Sequence, residues 1–382
     1  MKQRVFLLVA SIFLMLTSCN KEDDLTPSGN YSVTRLTFPQ GNNSWDMEIK
    51  EIHDTYGVYI IYKEITGQDL NRQWTSLGTG RLYYGNDLTD EQVPFYVDFL
   101  KNHIFNYVSP EIAQLALPAK IYILDNFRGL YPGQEDDDGS GTGGTGTGTG
   151  GTGTGTGGTG TGTGGTGTGT GGTGTGTGGT GTGTGGTGTG TGGTGTGTTN
   201  PNFVPLRTDG FDYWAISFTN DEMTTPDPAS LKNRRNVFLY LMIETAMQKD
   251  IIKEPLSFRD NMNYTKRIYT DMDVEDGKVT IENPDYYMNR GFVMQIDRTF
   301  TYEHTPYMIE DYTSESVEDG TYPHRDFLFY VRAAMFYTKA EFQAKYPPAI
   351  FPFINERYSI VIDHMKNTYG IDLEGIAKGP QL

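Results

Sequence analysis

Asp227-Pro228-Ala229-Ser230-Leu231-Lys232-Asn233-Arg234-Arg235-Asn236-Val237-Phe238-Leu239-Tyr240-Leu241-Met242-Ile243-Glu244-Thr245-Ala246-Met247-Gln248-Lys249 decides the fold. Asp227 is a helix cap, Pro228 suits the first helical position, and no glycine interrupts the residues that follow. The spacing predicts one long helix from about Pro228 to Lys249, and its Val, Phe, Leu, Met and Ile run marks it as a buried apolar element. Before it, Phe211 to Phe218 reads as a strand. Earlier still, Tyr31 to Phe38, Val58-Tyr59-Ile60-Ile61-Tyr62 and Lys120-Ile121-Tyr122-Ile123-Leu124 carry the β-branched and aromatic content of strands. Between these, Asn43-Ser44 caps a helix over Trp45–Thr55 that Gly57 ends, and a second helix starts at Thr89. After the long helix, Arg325 to Tyr337 reads as helix, and Thr338 with Glu341 forms a capping box for the next one. A last helix runs from about Ile350 to Tyr369 and stops at Gly370. The class is therefore α+β: a small sheet with segregated helices, helix-rich in the C-terminal half.

Residues 141–199 are only glycine and threonine, with paired glycines at Gly143-Gly144, Gly150-Gly151 and so on to Gly192-Gly193. A seven-residue period without apolar positions builds no coiled-coil seam, and glycine is not at every third place as collagen needs. The match to G-x-G-x-x-G is empty, because no strand leads in and no helix leads out. Composition predicts a disordered coil spanning roughly 40–45 Å. A folded domain tolerates such an insertion, since loop closure costs grow slowly with length. The expected organisation is 1–18 signal peptide, 19–30 flexible acidic tether, 31–138 N-terminal part of one globular domain, 139–200 disordered insertion, and 201–382 its C-terminal part.

Lys2 and Arg4 precede an apolar run, Val5 to Leu16, and Leu16-Thr17-Ser18-Cys19 closes it. About a dozen apolar residues are too few for a permanent span and right for a secretory signal. The closing tetrad resembles the lipobox of bacterial lipoproteins, so Cys19, the only cysteine, is the expected lipidation site. Cys19-Asn20-Lys21-Glu22-Asp23-Asp24 is similar to the signal that carries lipoproteins of Bacteroidota to the outer face of the outer membrane. With its one thiol lipidated, the chain has no disulfide and no cysteine nucleophile. A formal charge of −17 argues against nucleic acid as a partner. Aromatic content of 13 % supplies a packed core outside the repeat.

Three stretches together resemble a known group. They are Phe38-Pro39-Gln40-Gly41-Asn42-Asn43-Ser44-Trp45-Asp46, Tyr56-Gly57-Val58-Tyr59-Ile60-Ile61-Tyr62-Lys63 and Tyr369-Gly370-Ile371-Asp372-Leu373. Their order resembles the substrate-import-associated zinc metallohydrolase lipoproteins of Bacteroidota, also described as zinc-binding metallopeptidases. The likeness spans 31–138 and 200–375 and implies a metalloprotease-like scaffold. It also implies TonB-dependent transporters and their lid lipoproteins as partners, and an oligosaccharide or peptide as cargo.

The family's chemistry rests on H-E-x-x-H, two zinc-binding histidines one helical turn apart with a glutamate base between them. Here the five histidines are His53, His103, His304, His324 and His364, and no two are three or four apart. The degenerate counterpart lies within 227–250, with Tyr240 at the first histidine, Leu241 at the base and Glu244 at the second histidine. Leucine takes no proton from water. Asp326, in Arg325-Asp326-Phe327, corresponds to the stretch supplying the third ligand. Glu244, Asp326, His324 and His304 make up the alternative, an unusual metal site; the reading preferred is a structural helix. No catalytic residue, metal ligand or cofactor is carried over. There is no G-x-S-x-G elbow and no phosphate-binding loop. Acid pairs such as Asp271/Asp273/Glu275 and Glu310/Asp311 could serve glycosidic cleavage only in a cleft. Asp271–Gly277 has the alternating acids of a calcium loop but no glutamate at its twelfth place.

The expectation is a lipid-anchored, surface-exposed accessory protein of a TonB-dependent import system, a pseudoenzyme that binds or scaffolds. The competitors are an active hydrolase with a non-standard site and an outer-membrane assembly factor.

Overall fold

Strand β3, Lys120–Leu130, organises the sheet because it pairs with different partners along its length. The computed structural model describes residues 36–72, 80–131, 202–264, 266–306 and 325–380, together with the backbone of short strands inside the repeat. Phe38 onward forms one compact unit. Its main elements in chain order are α1 (Ser44–Tyr56), β1 (Tyr59–Ile61), β2 (Leu82–Asn86), α2 (Val93–Asp98), α3 (Pro110–Ala116), β3, β4 (Leu206–Arg207) and β5 (Tyr213–Ser217). Then follow α4 (Pro228–Gln248), β6 (Gln295–Ile296), β7 (Glu303–His304), α5 (Arg325–Phe336), α6 (Lys339–Lys345), α7 (Pro352–Tyr369) and α8 (Leu373–Lys378).

The first half of β3 lies between β1 and β5, both parallel to it, with Ile60 opposite Ile121 and Ile216 opposite Ile123. All five residues of Lys120–Leu124 are buried, as parallel strands covered on both faces must be. The second half pairs antiparallel with β2, Leu82 opposite Leu130, and β4 closes the other edge against β5. β3 is longer than the sequence expectation because its outer end is paired too; Arg128 bridges Phe203 across the two ends of the insertion. The sheet therefore receives strands from both sides of the repeat.

Caps set the helices. The Asp46 carboxylate accepts the Asn43 N–H at 2.9 Å, and Gly57 ends α1 at a φ of +71°, a left-handed conformation that glycine adopts without strain. The Asp227 side chain accepts the Ser230 N–H at 2.9 Å at the start of α4, and Thr338 and Glu341 cap α6 reciprocally. Gly370, at +69°, stops α7. The helix expected from Thr89 starts at Val93 and continues past Asp98 as a π-helix, Phe99–Ile104. The strand expected over Tyr31–Phe38 is absent at Leu36–Phe38, and its earlier residues lie outside the described ones.

Helix α4 is buried on nearly every side: Phe238, Leu239, Met242, Ile243 and Ala246 have no exposed surface. The Trp214 ring of β5 meets Phe238 edge-on at 5.2 Å, so the sheet covers one side of the helix and α3, α5 and α8 cover others. Within the repeat the backbone is described only in short segments. Seven short strands from Gly146–Thr149 to Gly188–Thr191 pair in parallel, each with the strand two repeats on, as Gly146 with Gly160 and Gly153 with Gly167. Identical repeats make that register available at every step, and β-branched threonine favours it. The signal, Cys19 and the acidic tether lie outside the described residues.

Candidate functional site

One helical turn separates Tyr240 from Glu244, so both leave the same face of α4. The Tyr240 hydroxyl donates to Glu244 Oε1 at 3.0 Å. The same oxygen takes a second hydrogen bond, from Arg298 at 2.5 Å. Burial first, and the Glu244 charge with it, push the Tyr240 phenol up to about 12, against the pull of Arg332; it remains a neutral donor. Burial lowers the Arg298 guanidinium, but the Glu244 carboxylate and Tyr240 together outweigh it and the net shift is upward.

Arg332, on α5, completes the cluster. It is 6 % exposed, and its guanidinium lies 5.1 Å from the Tyr240 ring centre and 4.8 Å from that of Phe329. Its Nε is buried with no hydrogen-bond partner, and burial lowers its pKa. Gln295 and His304 are register partners in the β6–β7 ladder, and Gln295 Nε2 and His304 Nδ1 are likewise buried and unpartnered. Two guanidinium groups thus attend one carboxylate, and the position expected for a catalytic base holds the half-buried Leu241.

Asp326 is occupied elsewhere. It is fully buried, paired with Arg357, and accepts the Tyr264 hydroxyl at 2.8 Å. Arg357 also donates to the carbonyls of Gly291 at 2.7 Å and Phe258 at 3.2 Å, and stacks over the Phe258 ring at 3.9 Å. Burial raises the Asp326 carboxyl while Arg357 pulls it down, and the Arg357 guanidinium is raised by that carboxylate in spite of its own burial. The two shifts favour opposite protonation states of one pair. The ionised pair is the consistent reading, because Arg357 cannot release its proton and a neutral acid would leave its charge buried alone.

Among the described residues, the members of the unusual metal site are each engaged elsewhere. Glu244 is held by Arg298, Asp326 by Arg357, His304 lies in a β ladder, and His324 lies outside the described residues. Among the described residues no three of His, Cys, Asp and Glu stand where they could hold a metal ion. The calcium-like acids are used locally. Asp271 accepts hydroxyls from Tyr286 and from Thr305 (2.6 Å), and Asp273 accepts the Thr270 N–H at 3.0 Å and faces Lys278 at 3.5 Å. Glu310 and Asp311 lie outside the described residues.

Sequence reasoning missed Arg298, Arg332 and Arg357. Each meets its partner across a long sequence separation, and no local spacing signals it.

No family model and no curated protein matches the chain. Among solved structures it is similar to a candidate zinc-binding metallo-peptidase from Bacteroides caccae. The identity is 11 %, the match covers 88 % of this chain and 92 % of the other, and the TM-score is 0.37. Among the described residues, no helix is long and apolar enough to cross a membrane.

Proposed function

We propose that this protein is a lipid-anchored accessory component of a TonB-dependent outer-membrane import system, one that binds or scaffolds rather than hydrolyses. The observation that carries the non-hydrolytic half is the Arg298 guanidinium on Glu244, one turn from Tyr240, where the family resemblance expects a metal and its base. A guanidinium there satisfies the carboxylate's charge, and neither Tyr240 nor Leu241 removes a proton from water near neutral pH. The lipobox-like tetrad ending at Cys19 and the acidic residues behind it support the anchored half. The order of the three family-like stretches supports the import half.

Metal analysis of the purified protein tests the first half. The expected result is substoichiometric zinc and no chelator-sensitive peptidase or glycosidase activity. Stoichiometric zinc, lost on chelation together with an activity, overturns it. Affinity purification from solubilised membranes tests the second half. A TonB-dependent barrel among the captured proteins is expected, and its consistent absence favours an assembly role.

A further inference from the structure

A cavity of ≈ 310 Å³ opens at the first turn of α4, on the opposite end of the helix from Glu244, between α6 and the end of α8. Its walls carry Lys232, Arg235 and Lys378, the imidazole of His103, and one carboxylate, Glu341. That is a cationic surface on a chain whose formal charge is −17.

Arg235 is 2 % exposed and has no carboxylate partner among the described residues. Its Nε and one terminal nitrogen donate to the Ile376 carbonyl at 3.1 and 2.8 Å, and the other nitrogen faces His103 Nδ1 at 3.3 Å. Arginine only donates, so His103 must accept there and is neutral. Burial, and then the Arg235 charge, bring the His103 pKa down to about 4. Gly379 crosses the guanidinium so closely that a Cβ would sit 2.6 Å from two of its nitrogens. Lys232 spends one proton on the Phe336 carbonyl at 2.8 Å, and Lys378 is exposed with no ion pair among the described residues. The one acid is engaged: Glu341 accepts both the N–H and the hydroxyl of Thr338, at 2.8 and 2.7 Å.

A helix-end carbonyl and a neutral imidazole satisfy the hydrogen bonds of Arg235 but not its charge. Burying an uncompensated guanidinium is costly, and an anion beside it removes that cost. The volume is at the lower end of the range for small-ligand sites. We propose that this cavity binds a small multivalent oxyanion, a phosphate or a compact polycarboxylate, with Arg235 and Lys232 supplying the inner charges and Lys378 the outer one. The site is independent of the import reading and of the Glu244 cluster.

Calorimetric titration of the full chain with inorganic phosphate, and separately with citrate, tests this. Saturable binding of one anion per chain is expected, weakened about tenfold by Lys378→Gln and further by Lys232→Gln, since each removes a charge-assisted contact. Lys378→Gln changes an exposed side chain and leaves the fold intact, so it decides the matter even if Arg235→Gln fails to fold. Lys339→Gln, on α6 and outside the cavity lining, serves as the control for general charge. No saturation up to roughly 50 mM of either anion overturns the proposal. So does equal weakening by the control.

Discussion

Glu244 and Asp326 are the two acids the sequence offered as remnants of one site, and the fold treats them oppositely. Both project from helices of the same core, and each holds an arginine. The partner of Glu244, Arg298, is 64 % exposed at its side chain, whereas the partner of Asp326, Arg357, is 3 % exposed. The first pair keeps solvent contact and leaves a second guanidinium, Arg332, without a hydrogen bond at its buried Nε. The second pair is enclosed by Tyr264, two carbonyls and an aromatic face, with Asp326 Oδ1 buried and lacking a hydrogen-bond partner. The same ion pair is therefore structural in one place and adjustable in the other, and what decides is how much water reaches it.

The largest effect expected follows from the closed pair. Asp326→Asn keeps the shape and strands the Arg357 charge, and should cost about 3–5 kcal/mol, read as a fall in the urea midpoint. Asp326→Leu combined with Arg357→Met should recover most of that loss, because the charge leaves with its partner. If Asp326→Asn costs only what an exposed pair costs, the contrast between the two acids fails.

His103 beside Arg235 is a third arrangement, a buried cation facing an imidazole in place of a carboxylate. The folded imidazole titrates near 4, and the unfolded one at its ordinary value of about 6.5. Between those values the unfolded state binds more protons, so stability is lost as pH falls from about 6.5 towards 4. The difference amounts to roughly 3 kcal/mol at most. Comparing urea midpoints at pH 7 and pH 5 for the native chain and for His103→Gln isolates it from the carboxylates, which titrate in both. An identical pH slope in the two proteins would place His103 outside the charge balance of Arg235.

The helices were readable because their signals are local. Asn43 with Asp46, Asp227 with Ser230, Thr338 with Glu341, and the glycines at 57 and 370 lie within a few residues of the ends they set. The buried character of Lys120–Leu124 was legible for the same reason. The second half of β3 was not, since Asp125, Asn126 and Arg128 read as polar until β2 is placed beside them. Nor was the π-helix at Phe99–Ile104, which has the same apolar pattern as an α-helix. At the candidate site, the residue types Tyr240, Leu241 and Glu244 and the absent histidine pair were legible. The cations that answer the acids were not, because Glu244–Arg298 and Asp326–Arg357 are products of the fold.

The smallest effect expected is at the open pair. Glu244→Gln keeps an acceptor for the Tyr240 hydroxyl and for Arg298 but removes the charge between Arg298 and Arg332. With Arg298 mostly in solvent its Coulombic loss is screened, and what remains is the buried Arg332 losing its counter-charge, so the cost should be about 1–2 kcal/mol, below that of Asp326→Asn. The cost should also shrink in high salt, whereas that of Asp326→Asn should not, since a pair without solvent contact is little screened. Glu244→Ala should cost more than Glu244→Gln, because it also strips the buried Tyr240 hydroxyl of its acceptor. A Glu244→Gln loss as large and as salt-insensitive as that of Asp326→Asn would show the two acids to be buried alike, and the openness assigned to the Glu244 cluster would be wrong.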